Sequence, residues 1–536
     1  MSGVNGGGAP RPNILVFIAD QLRADHLGAY GNTEVRTPNL DRLAEKSMVY
    51  DAAHVANPTC MPNRASLLTG RWPSSHGTQY NGIPLNPDAS TFVRQLRGCG
   101  YRTAAVGKLH HQNMGWDFEP EQREQIQRSA PLLLDPQLPD AVEPARPEGW
   151  DRWENRALHE EAYLRLPDDY YGYQEVDLVV GHGDAPGGHW PHWARKQGIE
   201  PRDLGGVSAS SDVLRDWDQV YTSAIPAHAH PTAYIGAQAE QRVRDAADSD
   251  DPFFMFVSFP DPHHPFAPPR EYAHRYDPDA LGLPVGFDQS HERSPEHIRR
   301  MHAKRGVPNT DPTMTFAVTE HQYRAAAAAQ YGLIEFIDEQ VGAVLAALED
   351  TGQDENTIVV FTADHGDLFG DHGLMLKHFV HYRAVTRVPL MIHLPGQQSQ
   401  VRSAELVSSA DIAPTLMDLA AVPAFRGIQG RSLVHDGNLS SGTGATALLI
   451  EEDQPFSLPG LPAPVRMRTV ISAEGRLTRY VGAQVSELYD HRSDPDELVN
   501  LAGTSQGRDL EYRLSAELGE LLVHLAAARS RPTAAA

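Results

Sequence analysis

The chain has 536 residues, in which 46 Lys and Arg face 70 Asp and Glu for a formal net charge of −24 at pH 7. With no long basic run, that balance excludes a protein that grips phosphate backbones, and no stretch approaches the roughly 18 apolar residues of a membrane span. Two cysteines supply no disulfide framework. The length allows about two to four domains of ordinary size, or one large α/β unit. The opening MSGVNGGGAPRPN reads as a flexible lead, residues 1–12, without the basic and apolar blocks of a secretory signal, so the expectation is a cytoplasmic protein.

Asn13 to Ala19 (NILVFIA) is a continuous apolar run, the pattern of a strand buried on both faces of a parallel sheet. It ends in Asp20-Gln21, at the strand end where open α/β sheets bind ligands; both could give oxygen to a hard cation, or Asp20 could simply cap the next turn. In Asn57 to Gly70 (NPTCMPNRASLLTG), Pro62 suits a first helical turn and Gly70 stops the helix, which puts Cys60 at a helix N-terminus with Arg64 one turn on. The N-terminal amides, the dipole and the guanidinium all favour an anion there. The plainer alternatives are a small buried cysteine capping a helix, or one paired with Cys99. Asn81 lies in a turn, YNG. Ser90 to Arg97 reads as a capped helix, and Tyr101 to Val106 as a strand running into Gly107-Lys108-Leu109-His110, where a solvated lysine is the bland reading.

From Gln112 to Pro231 periodicity fades among tryptophans, prolines and acids, so this stretch is expected to be an insertion or lid outside the core. Its Trp150, Trp153, Trp190 and Trp193 could line a pocket for a bulky or cationic leaving group, or sit on a solvated surface insertion. Ala233 to Ala247 predicts a helix and Phe253 to Phe259 (FFMFVSF) a strand opening into Asp261-Pro262-His263-His264-Pro265, whose D-x-H-H also offers three zinc ligands. His321 to Leu348 is a long scaffold helix ended by Gly352, and Thr357 to Thr362 (TIVVFT) a further parallel strand. Asp364 and His365 follow it, pairing with Asp20-Gln21, then Lys377 and His378 on a loop, and Val388 to His393 is another buried strand. The last hundred residues alternate around Val465–Ser472, Arg476–Tyr480 and Glu487–Asp490, predicting an antiparallel sheet closed by a helix over Asp509–Ala528.

C-x-P-x-R at Cys60 with the following SLLTGR, together with RADHLGAYGN, TPNLDRLA, G-K-x-H at Gly107, P-H-x-P at Pro262, DHGDLFGDHGLMLKH and ELYDHRSDPDELVNLA, resembles the type I, formylglycine-dependent sulfatases of the alkaline phosphatase superfamily, near their phosphonate monoester hydrolase branch. The resemblance spans nearly the whole chain outside 112–231. It implies an α/β, alkaline phosphatase-like fold: a catalytic domain over 13–435 with a large mostly parallel sheet flanked by helices, and a smaller C-terminal α+β domain over 436–536. It implies hydrolysis of a small-molecule sulfate monoester to an alcohol and sulfate, with Cys60 oxidised beforehand by a separate formylglycine-generating enzyme and hydrated to a gem-diol. One divalent ion, Ca²⁺ or Mn²⁺, would be held by Asp20, Gln21, Asp364, His365 and residue 60; the imidazole tilts the choice toward Mn²⁺. Arg64, Lys108 and Lys377 would neutralise the sulfuryl oxygens, His263 protonate the leaving oxygen, His110 deprotonate the second diol hydroxyl, and Asn81 contact the substrate. A phosphonate monoester hydrolase or phosphodiesterase is the nearest alternative; in that branch the positions of Lys108 and His110 carry tyrosine and threonine, which favours the sulfatase. A two-zinc phosphatase or a non-catalytic relative would need ligands added or lost. A homo-oligomer is left open.

Overall fold

The computed structural model describes residues 11–115, 146–147, 149–307, 314–440, 444–455, 458, 460–461 and 465–526. Its strands in chain order are β1 (Asn13–Ala19), β2 (Met48–His54), β3 (Arg102–Lys108), β4 (Glu175–Val180), β5 (Gly187–Gly188), β6 (Phe253–Phe259), β7 (Phe316–Ala317), β8 (Thr357–Ala363), β9 (Leu374–Met375), β10 (Leu390–His393), β11 (Val401–Ser408), β12 (Val434–His435), β13 (Asn438–Leu439), β14 (Ala447–Gln454), β15 (Val465–Ser472), β16 (Gly475–Tyr480) and β17 (Ser486–Asp490). A nine-stranded sheet runs β11-β2-β10-β8-β1-β6-β3-β4-β5. Neighbours are parallel except where β10 lies antiparallel to β8 and β2, and β5 to β4.

The apolar run of β1 is continuous because both faces are covered. Leu15, Phe17 and Ala19 enter one core cluster and Ile14, Val16 and Ile18 the other, as the two-residue period of a strand requires. On the first face lie the helix Pro231–Ala246 and the 31-residue helix Glu320–Asp350, started by a capping box between Thr319 and Gln322. On the second lie the helices Cys60–Thr69, Phe92–Gly98 and Ile412–Leu419. The N-cap of Phe92–Gly98 is Thr91, whose side chain accepts from the Arg94 amide. Register sets the functional edge: Ala19 pairs with both Phe259 and Ala363, and Gly107 with Ser258, so Asp20, the 260–265 turn, Asp364 and Lys108 leave the sheet side by side. Gly107 allows the β3–β6 approach, since a Cβ there would collide with the Ser258 carbonyl.

The four-stranded antiparallel sheet β14-β15-β16-β17 packs under the helix Arg508–Leu525 through Leu510, Leu514 and Leu518, and shares a cluster with Ala56 and Trp72 beside the Cys60 helix. Strands β2, β11 and β14 were not expected. The expectation that 112–231 stays outside the core is corrected among its described residues: β4 and β5 extend the main sheet, Trp190 is fully buried with Nε1 donating to the Ala229 carbonyl at 2.9 Å, and Trp193 packs on Tyr234. Trp190 is thus sheet packing and closed to any leaving group, while Trp193, Trp150 and Trp153 are half-buried, the last two beside Arg146 and Arg152. No helix among the described residues is long and apolar enough to cross a membrane.

Candidate active site

The helix Cys60–Thr69 is buried along its whole length and ends at Gly70 in a left-handed conformation, φ 63°, with the Gly70 amide donating to Ser66 O at 2.8 Å. Asn63 fixes its first turn. Its amide donates to the Asp364 carbonyl at 2.6 Å, and its oxygen accepts from Ala56 N and Ser409 Oγ. Both cysteines are free, which removes the pairing of Cys60 with Cys99.

Two sets of side chains meet at Cys60 Sγ. The first is His365 Nε2 at 3.1 Å and Lys377 Nζ at 3.3 Å; the second is Asp20 Oδ1 at 3.8 Å, with Lys108 Nζ on Asp20 Oδ2, and His365 Nε2 joins the two at 3.5 Å from Asp20 Oδ1. Asp20, Lys108, Asp364 and His365 are fully buried. Burial would raise the Asp20 carboxyl, but the Lys108 ammonium and His263 outweigh it and hold it well below the carboxylate range. Burial and Asp20 likewise push the Cys60 thiol up, and Lys108 and Lys377 bring it below its ordinary value. Burial, reinforced by Lys377, lowers His365 to about 4; its Nδ1 donates to the Gly366 carbonyl at 2.8 Å, so the neutral ring presents Nε2 to the centre.

Asp20, Cys60, Asp364 and His365 each offer a ligand atom within 4.8 Å of the others. Gln21, left-handed at φ 60°, belongs with them: its Nε2 donates outward to Asp367 and to His264 Nδ1 at 3.2 Å, turning Oε1 inward, where Lys377 Nζ meets it at 2.8 Å. The ammonium thus already shares Gln21 Oε1 and, at 2.9 Å, His365 Nε2. Two buried carboxylates, an inward amide oxygen and an unprotonated imidazole fit a hard or borderline divalent cation.

Arg64 departs from its expected place. Its Nε donates to Asp364 Oδ2 at 2.7 Å and its Nη1 to the Lys108 carbonyl at 2.7 Å and Ser258 Oγ at 2.9 Å, with Nη2 3.6 Å from Asp20 Oδ2. The fork lies beneath the carboxylates, and only Nη2 lacks a hydrogen bond. His263 donates from Nδ1 to the His264 carbonyl and turns Nε2 to Lys377 Nζ at 2.9 Å. Of the D-x-H-H zinc set only His263 faces Cys60: Asp261 accepts from Thr232 Oγ1 and His264 is taken by Gln21. Asn81 Oδ1 accepts from the Met61 amide at 3.1 Å, at the same helix start. His110, φ 56°, is held through its backbone amide by the buried Glu154 at 2.6 Å, and its Nδ1 is buried without a partner.

Sequence reasoning missed His182. It follows β4, one strand beyond Lys108, with Nε2 2.6 Å from Lys108 Nζ and its ring stacked on His263 at 3.7 Å between centroids. The signal was the short apolar run VDLVV leading into Gly-His-Gly, the same strand-then-chemistry pattern as the other sites.

The ends of a mostly parallel sheet converge on Cys60 with two buried carboxylates and two lysines, in an alkaline phosphatase-like fold. The sulfatase family matches residues 12–128 and 187–422, and the C-terminal region of N-sulphoglucosamine sulphohydrolases matches 370–524. An arylsulfatase of Clostridium perfringens is 29% identical over 430 residues, covering 79% of this chain and 78% of the relative. A choline-sulfatase of Rhizobium meliloti is 26% identical over 502 residues, covering 93% and 83%. In fold the chain is similar to the phosphonate monoester hydrolase of Agrobacterium radiobacter, with a TM-score of 0.72, 24% identity and 96% of each chain covered. This chain belongs to the sulfatase family, and it is a hydrolase of sulfuric esters.

Proposed function

We propose that the protein hydrolyses a sulfate monoester through a formylglycine made from Cys60 by a maturation enzyme, with one divalent ion, Ca²⁺ or Mn²⁺, held by Asp20, Gln21, Asp364, His365 and residue 60. The observation that carries this reading is the position of Cys60 Sγ, at a helix N-terminus between Asp20 with Lys108 and His365 with Lys377. The bound ion would supply positive charge beside the hydrated aldehyde, strengthening its hydroxyl as a nucleophile toward sulfur.

Lys377 meets residue 60 directly and Lys108 stands next to it on Asp20, and the two ammonium groups neutralise the sulfuryl oxygens as charge shifts onto them. The proton for the leaving oxygen comes from the Lys377 ammonium through His263, whose Nε2 accepts from Nζ at 2.9 Å and hands the proton on. His110 accepts the proton released when sulfate departs, and Asn81 holds the substrate beside the helix start it caps. Arg64 acts one layer down, fixing the two carboxylates. A cytoplasmic setting belongs to the same proposal.

The test compares an aryl sulfate with an aryl phosphonate on wild type and Lys108→Ala. A sulfate monoester offers three like oxygens to paired cations, whereas a phosphonate ester carries a further organic group. The sulfate should show the higher kcat/KM, and Lys108→Ala should lower it roughly tenfold to a thousandfold, the range for one lost oxyanion donor. A wild-type preference for the phosphonate, untouched by the substitution, favours the phosphonate hydrolase instead.

A further inference from the structure

The mechanism above leaves His182 unused, yet the imidazole sits within the reacting volume. Its ligand nitrogen, Asp20, His263 and Cys60 Sγ all lie within 4.8 Å of one another. A group undergoing attack has its central atom about 3–3.5 Å from the attacking atom, so an oxygen bound to that centre falls within hydrogen-bond reach of this ring. The main chain aims it there. Gly181 and Gly183 take φ 104° and 69°, which reverses the chain just beyond the end of β4 and returns the side chain over the sheet edge. The ring lies 3.7 Å from His263, centroid to centroid and 13° from parallel, and His263 lies 4.1 Å from His264. His263 is therefore the middle of three stacked imidazoles, with His182 at one end. The His182 side chain is 16% exposed where those of Asp20 and Lys108 are closed to solvent, so it marks the outer side of the site.

The contacts of His182 give it two effects. Lys108 Nζ donates to its Nε2 at 2.6 Å while also pairing with Asp20, so the ammonium is fixed from two directions, and the Asp20 carboxylate lies 3.5 Å from the same ring nitrogen. The ring also lies beside Lys108 and over His263 on the outer side of the site, and a second organic substituent on a tetrahedral centre held by Lys108 needs room beside that cation. A sulfate monoester places only an oxygen there.

We propose that His182 is a substrate-contacting residue that aims Lys108 and excludes esters carrying a second substituent, making the site selective for monoesters. This rests on the sulfatase reading above and deepens it, because it assigns the choice between sulfate monoester and phosphonate or phosphate diester to one side chain.

The experiment measures kcat and KM for 4-nitrophenyl sulfate and for a 4-nitrophenyl phosphonate ester on wild type, His182→Ala, His182→Gln, Lys108→Ala and the Lys108→Ala/His182→Ala double variant. His182→Ala should lower kcat/KM for the sulfate about tenfold or more, mainly through kcat, while the phosphonate rate holds or rises. His182→Gln, which can still accept from Lys108, should recover most of the sulfate rate. In the Lys108→Ala background the further loss of His182 should cost the sulfate little, because the two act together. The ratio of the two substrates does not depend on the folded fraction, and if His182→Ala gives no soluble protein, His182→Asn, too short to reach Lys108, reads the same ratio. Equal losses on both substrates, or a sulfate loss under about twofold, overturn the inference. A wild type with residue 60 converted that cleaves neither ester overturns the sulfatase reading together with the inference, and so separates that failure from the failure of His182 alone.

Discussion

Arg64→Met tests the unexpected placement of the guanidinium. Methionine keeps much of the length and apolar stem while removing the charge and its donors, so a loss reports the ionic partners rather than a cavity. The arginine side chain is 1% exposed and lies 2.7 Å from Asp364 and 3.6 Å from Asp20, both closed to solvent. At an effective dielectric of about 20, Coulomb attraction at such distances is on the order of 5 kcal/mol per pair, most of it offset by the desolvation of all three groups. Breaking one side of a buried ion pair costs about 3–5 kcal/mol in practice, because the partner stays buried and uncompensated. The hydrogen bonds to the Lys108 carbonyl and Ser258 Oγ are lost as well, while Lys108 and Lys377 remain as partial compensation. We therefore expect a loss of about 3–5 kcal/mol, a large share of the roughly 5–15 kcal/mol typical of a folded protein. Urea unfolding of wild type and variant measures it. If turnover vanishes but stability falls by less than about 1 kcal/mol, the guanidinium serves the substrate and not the carboxylates, and the placement argued above is wrong.

Other substitutions probe what surrounds the centre. Asp367→Asn should weaken binding of Mn²⁺ or Ca²⁺ about 10- to 100-fold by isothermal titration, because an amide at 367 lets Gln21 reverse and turn its NH₂ inward; unchanged affinity would show that Gln21 is no ligand. Glu452 of β14 is fully buried, and although burial would raise it, hydrogen bonds from His378 and His381 outweigh that and hold its carboxyl below the usual range. A depressed carboxyl adds stability above its unfolded pKa, near 4.3, and loses it as pH falls toward the folded value. The stability gap between wild type and Glu452→Gln should thus be full above about pH 5 and shrink in more acidic urea titrations; a gap that widens on acidification contradicts the assignment.

Strands β1, β6 and β8 were legible because each is an unbroken apolar run buried on both faces and stopped by polar residues. The sheet register then brings Asp20, His263, Asp364 and His365 together, and the Lys377 loop reaches the same point through Gln21 and Cys60. Less visible were β2 (MVYDAAH) and β11 (VRSAELVS), which pair near one sheet edge and mix polar with apolar residues. β4 escaped because its short run sits in a stretch of prolines and tryptophans, and His182 was lost with it. The direction of Arg64 could not be read from C-x-P-x-R at all. Spacing puts the residue one turn from Cys60, but its partners Asp364 and Ser258 arrive from strands hundreds of residues away. Trp190 shows the reverse error: composition left it between pocket lining and a solvated insertion, where the fold builds packing.

The measurement that bears most directly on the account is peptide mass spectrometry of the segment holding Cys60, on enzyme co-expressed with a formylglycine-generating enzyme and assayed on an aryl sulfate. The expected result is the mass of the aldehyde or its hydrate at residue 60, in a fraction that tracks specific activity across preparations. Cys60→Ala should be inactive yet folded, since a small buried side chain replaces another. Fully active protein whose residue 60 is entirely the unmodified thiol would contradict it.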